Sequence, residues 1–238
     1  MTKAVVFAYH NVGVRCLKAL LARGVDVALV VTHEDSPNET IWFDSVARTA
    51  ADYGIPTMTP EDANAPELLA RLEAIRPDFL FSFYYRQMLK PALLAAPARG
   101  AFNLHGSLLP RYRGRAPVNW AVLHGERETG ATLHAMTPKP DDGAIVDQQA
   151  VPILPDDTAG EVFAKVTLAA EIVLDRCLPS LVAGSVPLIP NGGFNLWARG
   201  NTGFGGASAL VCEGWRFSLA GGGTHTIQRG NNLSDSSW

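Results

Sequence analysis

An amide and an imidazole lie two residues apart in FNLHGSLLPRYRGRAP, residues 102–117, where an apolar segment gives way to a loop rich in Gly, Pro and Arg. Alternate residues of a strand point to the same side, so Asn103 and His105 can reach one small space. Ligands of open α/β sheets bind at such strand ends. A polar pair at a strand end also commonly satisfies turn backbone groups, so a third residue has to separate a catalytic interpretation from a structural one.

The third residue is a carboxylate in TPKPDDG, residues 137–143. Asp141 or Asp142 can orient the imidazole and stabilise its cation, which raises the pKa of a histidine. An amide, an imidazole and a carboxylate suit acyl transfer to an amine, in which the amide stabilises the oxyanion and the histidine moves protons. Ser107 lacks the GxSxG turn of a hydrolase nucleophile and is interpreted as a turn residue, and His134 as structural.

The elements that must position these groups alternate between apolar β-rich runs and amphipathic helical runs. Runs such as VALVV and DFLFSF are apolar on both faces, which predicts a doubly wound, mainly parallel, Rossmann-like α/β sheet. The predicted strands are 4–9, 25–32, 78–83, 100–104, 130–136 and 144–151. The predicted helices are 12–23, 42–53, 66–75, 116–124 and one from about 158 to 178 that ends before Pro179.

Charge and loop composition exclude several classes of function. The net charge of −3 gives no positive field for a nucleic acid. The loop YHNVG after the first strand lacks the GxGxxG cradle of a nicotinamide enzyme.

The three cysteines have neither disulfide nor metal-site spacing, so we expect no metal and a reducing, cytoplasmic location. Apolar runs of membrane-spanning length and a signal peptide are not seen in the sequence, so we expect no membrane association.

A longer pattern identifies a family. The run NLHGSLLPRYRGRAPVNWAVLHGERETGATLH, followed by Asp141 and Gly143, resembles the folate-dependent formyltransferases, which act on methionyl-tRNA, glycinamide ribonucleotide or amino sugars. FAYHNVG at 7–13, SVARTAADYGIP at 45–56 and FSFYYR at 81–86 are similar to members that formylate a UDP-linked amino sugar. The resemblance covers residues 3–190 and implies the formyltransferase fold.

The resemblance also implies substrates and roles. The donor is 10-formyltetrahydrofolate, and the acceptor is the amine of a UDP-linked amino sugar, UDP-4-amino-4-deoxy-L-arabinose, in the lipid A modification of polymyxin resistance. Asn103 stabilises the oxyanion, His105 is the general acid and base, and Asp141 raises the pKa of His105. The folate is held by Gln87, Met88, Leu89, Arg115, Thr137, Pro138, Lys139, Pro140 and Asp141. A homo-oligomer is compatible with this assignment.

The tail departs from the family pattern. Residues 1–190 are interpreted as the catalytic domain, whereas residues 191–238 hold 11 of the 22 glycines and none of the 16 prolines. We expect weak or irregular structure there and interpret the tail as a truncated or frame-shifted remnant of a C-terminal domain.

Two alternatives remain from the sequence. One is a methionyl-tRNA formyltransferase, against which the net charge and FSFYYR argue. The other is a catalytically impaired remnant that binds folate or a nucleotide.

Overall fold

The computed structural model describes residues 1–38, 40–186, 188, 189 and 191, together with the backbone of three strands between residues 208 and 229. It divides into two compact units, Met1–Gly192 and Gly193–Trp238. The first unit carries all the predicted site residues.

A seven-stranded sheet forms the centre of the first unit, in the order β3-β2-β1-β4-β5-β6-β7. The first five strands in that order are parallel, and β6 is antiparallel to both β5 and β7. The strands are β1 (Lys3–Ala8), β2 (Asp26–Val31), β3 (Thr57–Met58), β4 (Phe79–Phe83), β5 (Ala101–His105), β6 (Glu128–Ala135) and β7 (Ile145–Pro152). The direction of winding reverses between β1 and β4, which is where open α/β sheets bind ligands.

Helices cover both faces of the sheet. They are α1 (His10–Ala22), α2 (Val46–Asp52), α3 (Pro66–Ile75), α4 (Pro91–Ala95), α5 (Pro117–Leu123) and α6 (Ala159–Ala183). Val6 of β1 belongs to a core cluster with α1 and α6, whereas its neighbour Phe7 belongs to a second cluster with α3 and α4. The predicted doubly wound, mainly parallel sheet is therefore confirmed. Within the described residues, no helix is both long enough and apolar enough to cross a membrane.

The last helix of the first unit differs from the prediction at its end. It begins at the predicted capping box, in which Thr158 and Glu161 satisfy each other's backbone N–H groups. It then continues through Pro179 to Ala183, because buried Leu181 keeps the last turn packed on the core. Gly184, at φ +72°, ends the helix in the left-handed conformation that favours glycine. The predicted end before Pro179 is wrong.

A second helix starts later than predicted. Ser45 caps α2 by accepting a hydrogen bond from the Arg48 amide, so the helix begins at Val46 rather than Trp42. Trp42 and Phe43 instead pack against the His10 ring. The short elements β3 and α4 were not predicted, because two and five residues carry too little periodicity.

The second unit contains β8 (Ser208–Cys212), β9 (Trp215–Ala220) and β10 (Thr224–Arg229), an antiparallel sheet in the order β10-β9-β8. The expectation of irregular structure is therefore wrong for these segments. WRFSLA alternates large apolar with smaller or polar residues, a strand pattern that the high glycine content obscured. The interpretation of the tail as a remnant stays a prediction, and its other residues lie outside those that the structure describes.

Candidate active site

The predicted amide and imidazole lie on one face of β5, at its carboxyl end. Asn103 pairs in register with His134 of β6, and His105 pairs with Thr132. Residues directly opposite on antiparallel strands share a face, so these four polar side chains form one surface. His105 is 7% exposed and His134 is 2% exposed, so both imidazoles lie largely out of water.

The loop between β6 and β7 crosses this surface and brings in the carboxylate. Asp141 places Oδ1 3.5 Å from His105 Nδ1 and 3.5 Å from His134 Nε2, and its Oδ2 accepts the Gly114 amide at 2.9 Å. Asp142 instead pairs with Arg113 at 2.8 Å. Of the two carboxylates that the sequence left open, Asp141 is therefore the one that lies beside the imidazole.

A glycine allows the loop to approach the sheet so closely. A Cβ placed on Gly143 would overlap the Ala135 carbonyl oxygen and come within 2.7 Å of its carbon. The Ala135 amide donates to the carbonyl of Ala144 at 2.8 Å, which holds the returning chain against β6. Only a residue without a side chain fits at position 143 unless the loop moves.

Both nitrogens of His105 have defined neighbours. Nε2–H donates to the Tyr112 carbonyl at 2.8 Å, so in the neutral ring the free lone pair is on Nδ1, which faces Asp141. Burial lowers the pKa of His105, and the charge of Asp141 only partly opposes this. Asp141 thus acts in the predicted direction, but the net pKa is below the ordinary value, which leaves a neutral ring able to accept a proton.

Asp141 is ionised in this setting. Burial raises its pKa, but the contact with His134, the charge of His105 and the hydrogen bond from the Gly114 amide together outweigh burial, and the net pKa is lowered. A fixed negative charge beside His105 stabilises the imidazolium that forms when the ring takes up a proton.

His134, which the sequence analysis set aside as structural, joins the two predicted groups. Its Nδ1–H donates to the Ala135 carbonyl at 2.8 Å, so Nε2 accepts a hydrogen bond from Asn103 Nδ2 at 3.2 Å. An amide nitrogen carries two hydrogens, so Asn103 can hold His134 and still donate to an oxyanion. The role of His134 follows from its position opposite Asn103 on the neighbouring strand. That register depends on the connection between the strands, which the sequence does not predict.

The segment Gln87–Leu89 follows β4 and is fixed by its neighbours. The Gln87 side chain accepts from the Ala63 amide and donates to the Glu61 carbonyl, both at 2.8 Å. Leu89 is buried, whereas Met88 is 56% exposed. The Gln87 side chain is thus committed to holding the segment, and a ligand would meet its backbone and Met88.

The other predicted cofactor residues border Asp141. Thr137 Oγ1 donates to the Lys139 carbonyl at 2.8 Å and shapes the loop, in which Pro138, Lys139 and Pro140 are exposed. Arg115, also exposed, follows Gly114, whose amide binds Asp141. The structure therefore places the backbone next to Arg115 beside Asp141.

Aromatic rings gather at the carboxyl ends of β1, β2 and β4, where the sheet reverses its winding. The His33 ring stacks on Tyr85 at 4.1 Å and meets the edge of Tyr9 at 5.3 Å. The Arg86 guanidinium lies 4.6 Å from the centre of the Tyr9 ring, and burial, then the charge of Arg86, lowers the pKa of His33. Tyr85 is in this ring cluster, whereas Trp120 lies on α5 near His124.

Another tyrosine, Tyr84, lies next to the carboxyl end of β5. Tyr84 packs edge-on against Phe163, and a Cβ on Gly106 would come within 3.0 Å of the Tyr84 ring. The buried hydroxyls of Tyr84 and Tyr85 have no hydrogen-bond partner among the described residues. The Tyr84 ring therefore packs directly beside the residue that follows His105.

Comparison with known proteins indicates the same family as the sequence resemblance. Residues 3–178 match the family model described as formyl transferase. Glycinamide ribonucleotide transformylase 1 from Geobacillus kaustophilus is 26% identical, with a TM-score of 0.64 over 76% of this chain and 98% of that chain. The corresponding enzyme from Symbiobacterium toebii is 22% identical, with a TM-score of 0.67 over 77% of this chain and 89% of that chain.

A sugar-modifying enzyme has the same fold. The N-formyltransferase from Helicobacter canadensis, solved in complex with folinic acid and dTDP-3-aminofucose, is 22% identical. Its TM-score is 0.64 over 81% of this chain and 68% of that chain. Glycinamide ribonucleotide and sugar enzymes are therefore about equally similar to this chain in structure.

Proposed function

Because this chain belongs to the formyl transferase family, we propose that it transfers a formyl group from 10-formyltetrahydrofolate to UDP-4-amino-4-deoxy-L-arabinose in lipid A modification. The observation that carries the proposal is the convergence of Asn103, His105 and Asp141 on one face of the sheet. The cytoplasmic location expected from the sequence is part of the same proposal.

The geometry suits acyl transfer to an amine. The bound folate supplies a formyl group on nitrogen. As the acceptor amine bonds to the formyl carbon, Asn103 Nδ2 donates to the oxygen that gains negative charge. The amine proton passes to Nδ1 of the neutral His105, while Asp141 stabilises the imidazolium. His105 then returns the proton to the departing folate nitrogen as the original C–N bond breaks, so that protons and bonds balance.

The residues around the site suit a formylated folate. The exposed Arg115 guanidinium can pair with a carboxylate, as found on the glutamate of folates. The segments 87–89 and 137–141 offer backbone groups that can hydrogen-bond to a ligand. The folinic acid bound by the Helicobacter canadensis enzyme supports the same donor class here.

The acceptor is inferred from the ring cluster. His33 and Tyr85 are partly exposed and present aromatic rings on which a nucleobase can stack. A nucleobase is present in a UDP-sugar and lacking in glycinamide ribonucleotide. The acidic net charge disfavours tRNA.

The test is an acceptor panel with the full chain. Purified protein and 10-formyltetrahydrofolate are incubated separately with UDP-4-amino-4-deoxy-L-arabinose, glycinamide ribonucleotide and methionyl initiator tRNA, and products are identified by mass spectrometry. We expect the formylated UDP-sugar. Formylation of glycinamide ribonucleotide or tRNA alone would reject the proposed acceptor, and no product would favour an impaired remnant.

A further inference from the structure

The chain that follows α6 returns to the sheet beside the active-site loop. Ile189 and Ile145 form an antiparallel bridge, with amide-to-carbonyl distances of 2.7 and 2.9 Å in the two directions. Ile145 is the first residue of β7 and lies four positions after Asp141. The bridge therefore delivers Asn191 to the loop that carries the carboxylate.

Asn191 is tied to this loop by a set of hydrogen bonds. Its Nδ2 donates to the Asp141 carbonyl at 2.9 Å. Arg113 Nη2 donates to the Asn191 carbonyl at 2.6 Å and to its Oδ1 at 3.1 Å. Asn191 is only 7% exposed, so its carboxamide makes these bonds largely shielded from water.

Arg113 extends the contact to the next residue of the loop. Its second terminal nitrogen, Nη1, lies 2.8 Å from Asp142 Oδ1. Arg113, Asn191 and Asp142 are hereafter called the clamp. The clamp holds the loop at two successive residues, through the backbone carbonyl of Asp141 and the side-chain carboxylate of Asp142.

Asp141 requires such support because of its backbone. It has φ +50°, in the left-handed region that residues with a Cβ seldom adopt. Its carboxylate accepts the Gly114 amide and lies 3.5 Å from two imidazoles, an arrangement that a small rotation of the loop would change. Residues in such conformations persist where the surroundings determine them.

We propose that Asn191 and Arg113 are positioning residues for formyl transfer, which act by clamping the Asp141 loop so that the carboxylate faces His105. The inference rests on the proposed catalytic role of Asp141. It assigns a function to the segment after α6, outside the residues that match the family model.

The clamp predicts a specific kinetic effect. Asn191→Asp keeps the size of the side chain and an acceptor for Arg113, but it loses the donor to the Asp141 carbonyl. Because a misplacement of about 1 Å at a reacting group can cost about 100-fold in rate, kcat should fall about 10- to 100-fold. KM for the acceptor should change less than twofold, since the clamp lies outside the ring cluster.

The decisive experiment reads the loop directly and needs no acceptor. Nuclear magnetic resonance of the full chain follows hydrogen exchange of the Gly114 amide, which donates to Asp141, and the titration of His105. The groups facing His105 are Asp141, His134 and the Tyr112 carbonyl. Asn191→Asp and Arg113→Gln are compared with Asp141→Asn, and Arg23→Gln is the matched control because Arg23 pairs with Asp175 between α1 and α6.

In both clamp variants we expect faster Gly114 exchange and a further lowering of the His105 pKa, in the direction that Asp141→Asn produces. Arg23→Gln should leave both unchanged. Wild-type exchange and titration in folded Asn191→Asp and Arg113→Gln proteins would overturn the proposal. Since these readouts require no turnover, failure of the acceptor panel would leave this test intact, and failure of the clamp would leave the panel intact.

Discussion

The close approach of the loop to β6 at Gly143 gives a sharp test of the site geometry. A methyl group at this position would lie 2.7 Å from the Ala135 carbonyl carbon and 3.3 Å from Thr137 Cγ2. Non-bonded carbons prefer about 3.5–4.0 Å, so the loop in Gly143→Ala must move by about 1 Å or more. The nearest atoms belong to the backbone of a buried strand, which cannot turn aside.

Two magnitudes follow from this displacement. Overpacking of this kind typically costs about 1–3 kcal/mol, and each kcal/mol lowers Tm by about 2–4 °C in a chain of this size. Gly143 is two residues from Asp141, so a shift of about 1 Å should also reduce kcat about 100-fold. We expect both effects in one variant, measured by thermal denaturation and by the rate of formyl transfer.

Gly160→Ala is the matched control. Gly160 lies in the first turn of α6, and its added methyl would meet only Thr158 Oγ1, at 3.8 Å. Replacing a helical glycine by alanine stabilises a protein by about 0.5–1 kcal/mol, so Tm should rise slightly while kcat is unchanged. Wild-type Tm and kcat in Gly143→Ala would refute the loop geometry, and a lowered Tm with full kcat would refute its link to catalysis.

Three further predictions concern the individual groups of the site. Asn103→Ala should reduce kcat about 100- to 1000-fold through loss of the oxyanion donor, in a steady-state assay with both substrates saturating; an unchanged kcat would remove Asn103 from the mechanism. His134→Leu should reduce kcat about 10-fold, because the Asn103 amide loses the acceptor that orients it, while the affinity for folinic acid measured by calorimetry stays the same. Because burial lowers the pKa of His105, kcat/KM should fall only as the pH drops below the ordinary imidazole value of about 6.5. Asp141→Asn should move this fall to still lower pH, and an opposite movement in the pH profile would contradict the assigned pair.

The lowered pKa of His105 also makes the free energy of unfolding depend on pH. A histidine whose pKa is lower in the folded protein binds more protons when unfolded, so the contribution of His105 to the free energy of unfolding decreases as the pH falls below about 6.5. It reaches its limit below the lowered pKa of the folded protein.

Local patterns were sufficient to predict most of the sheet. Apolar runs gave the parallel strands, and Pro66 and Thr158 marked the starts of α3 and α6. The predicted end of α6 before Pro179 was wrong. A proline usually ends a helix, but the burial of Leu181 keeps this helix intact through Pro179. Tertiary packing outweighed the local signal.

In the active site, too, the features set within one segment were predictable, and those set by contacts between distant segments were not. The spacing of Asn103 and His105 and their shared face could be predicted, because both lie on one strand. The partnership of Asn103 with His134 and the delivery of Asn191 to Asp141 depend on pairing between distant segments, which no local pattern encodes. The direction of the His105 pKa also escaped prediction, because burial is a property of the folded chain and outweighs the charge of Asp141.

The central claim is that His105 carries the proton in formyl transfer by this chain. It is tested most directly by comparing the wild type with His105→Ala in single-turnover transfer from 10-formyltetrahydrofolate to the UDP-amino sugar, alongside calorimetric binding of folinic acid to both proteins. We predict transfer by the wild type, loss of transfer in the variant and equal folinic acid binding. Transfer at the wild-type rate by His105→Ala would contradict the account.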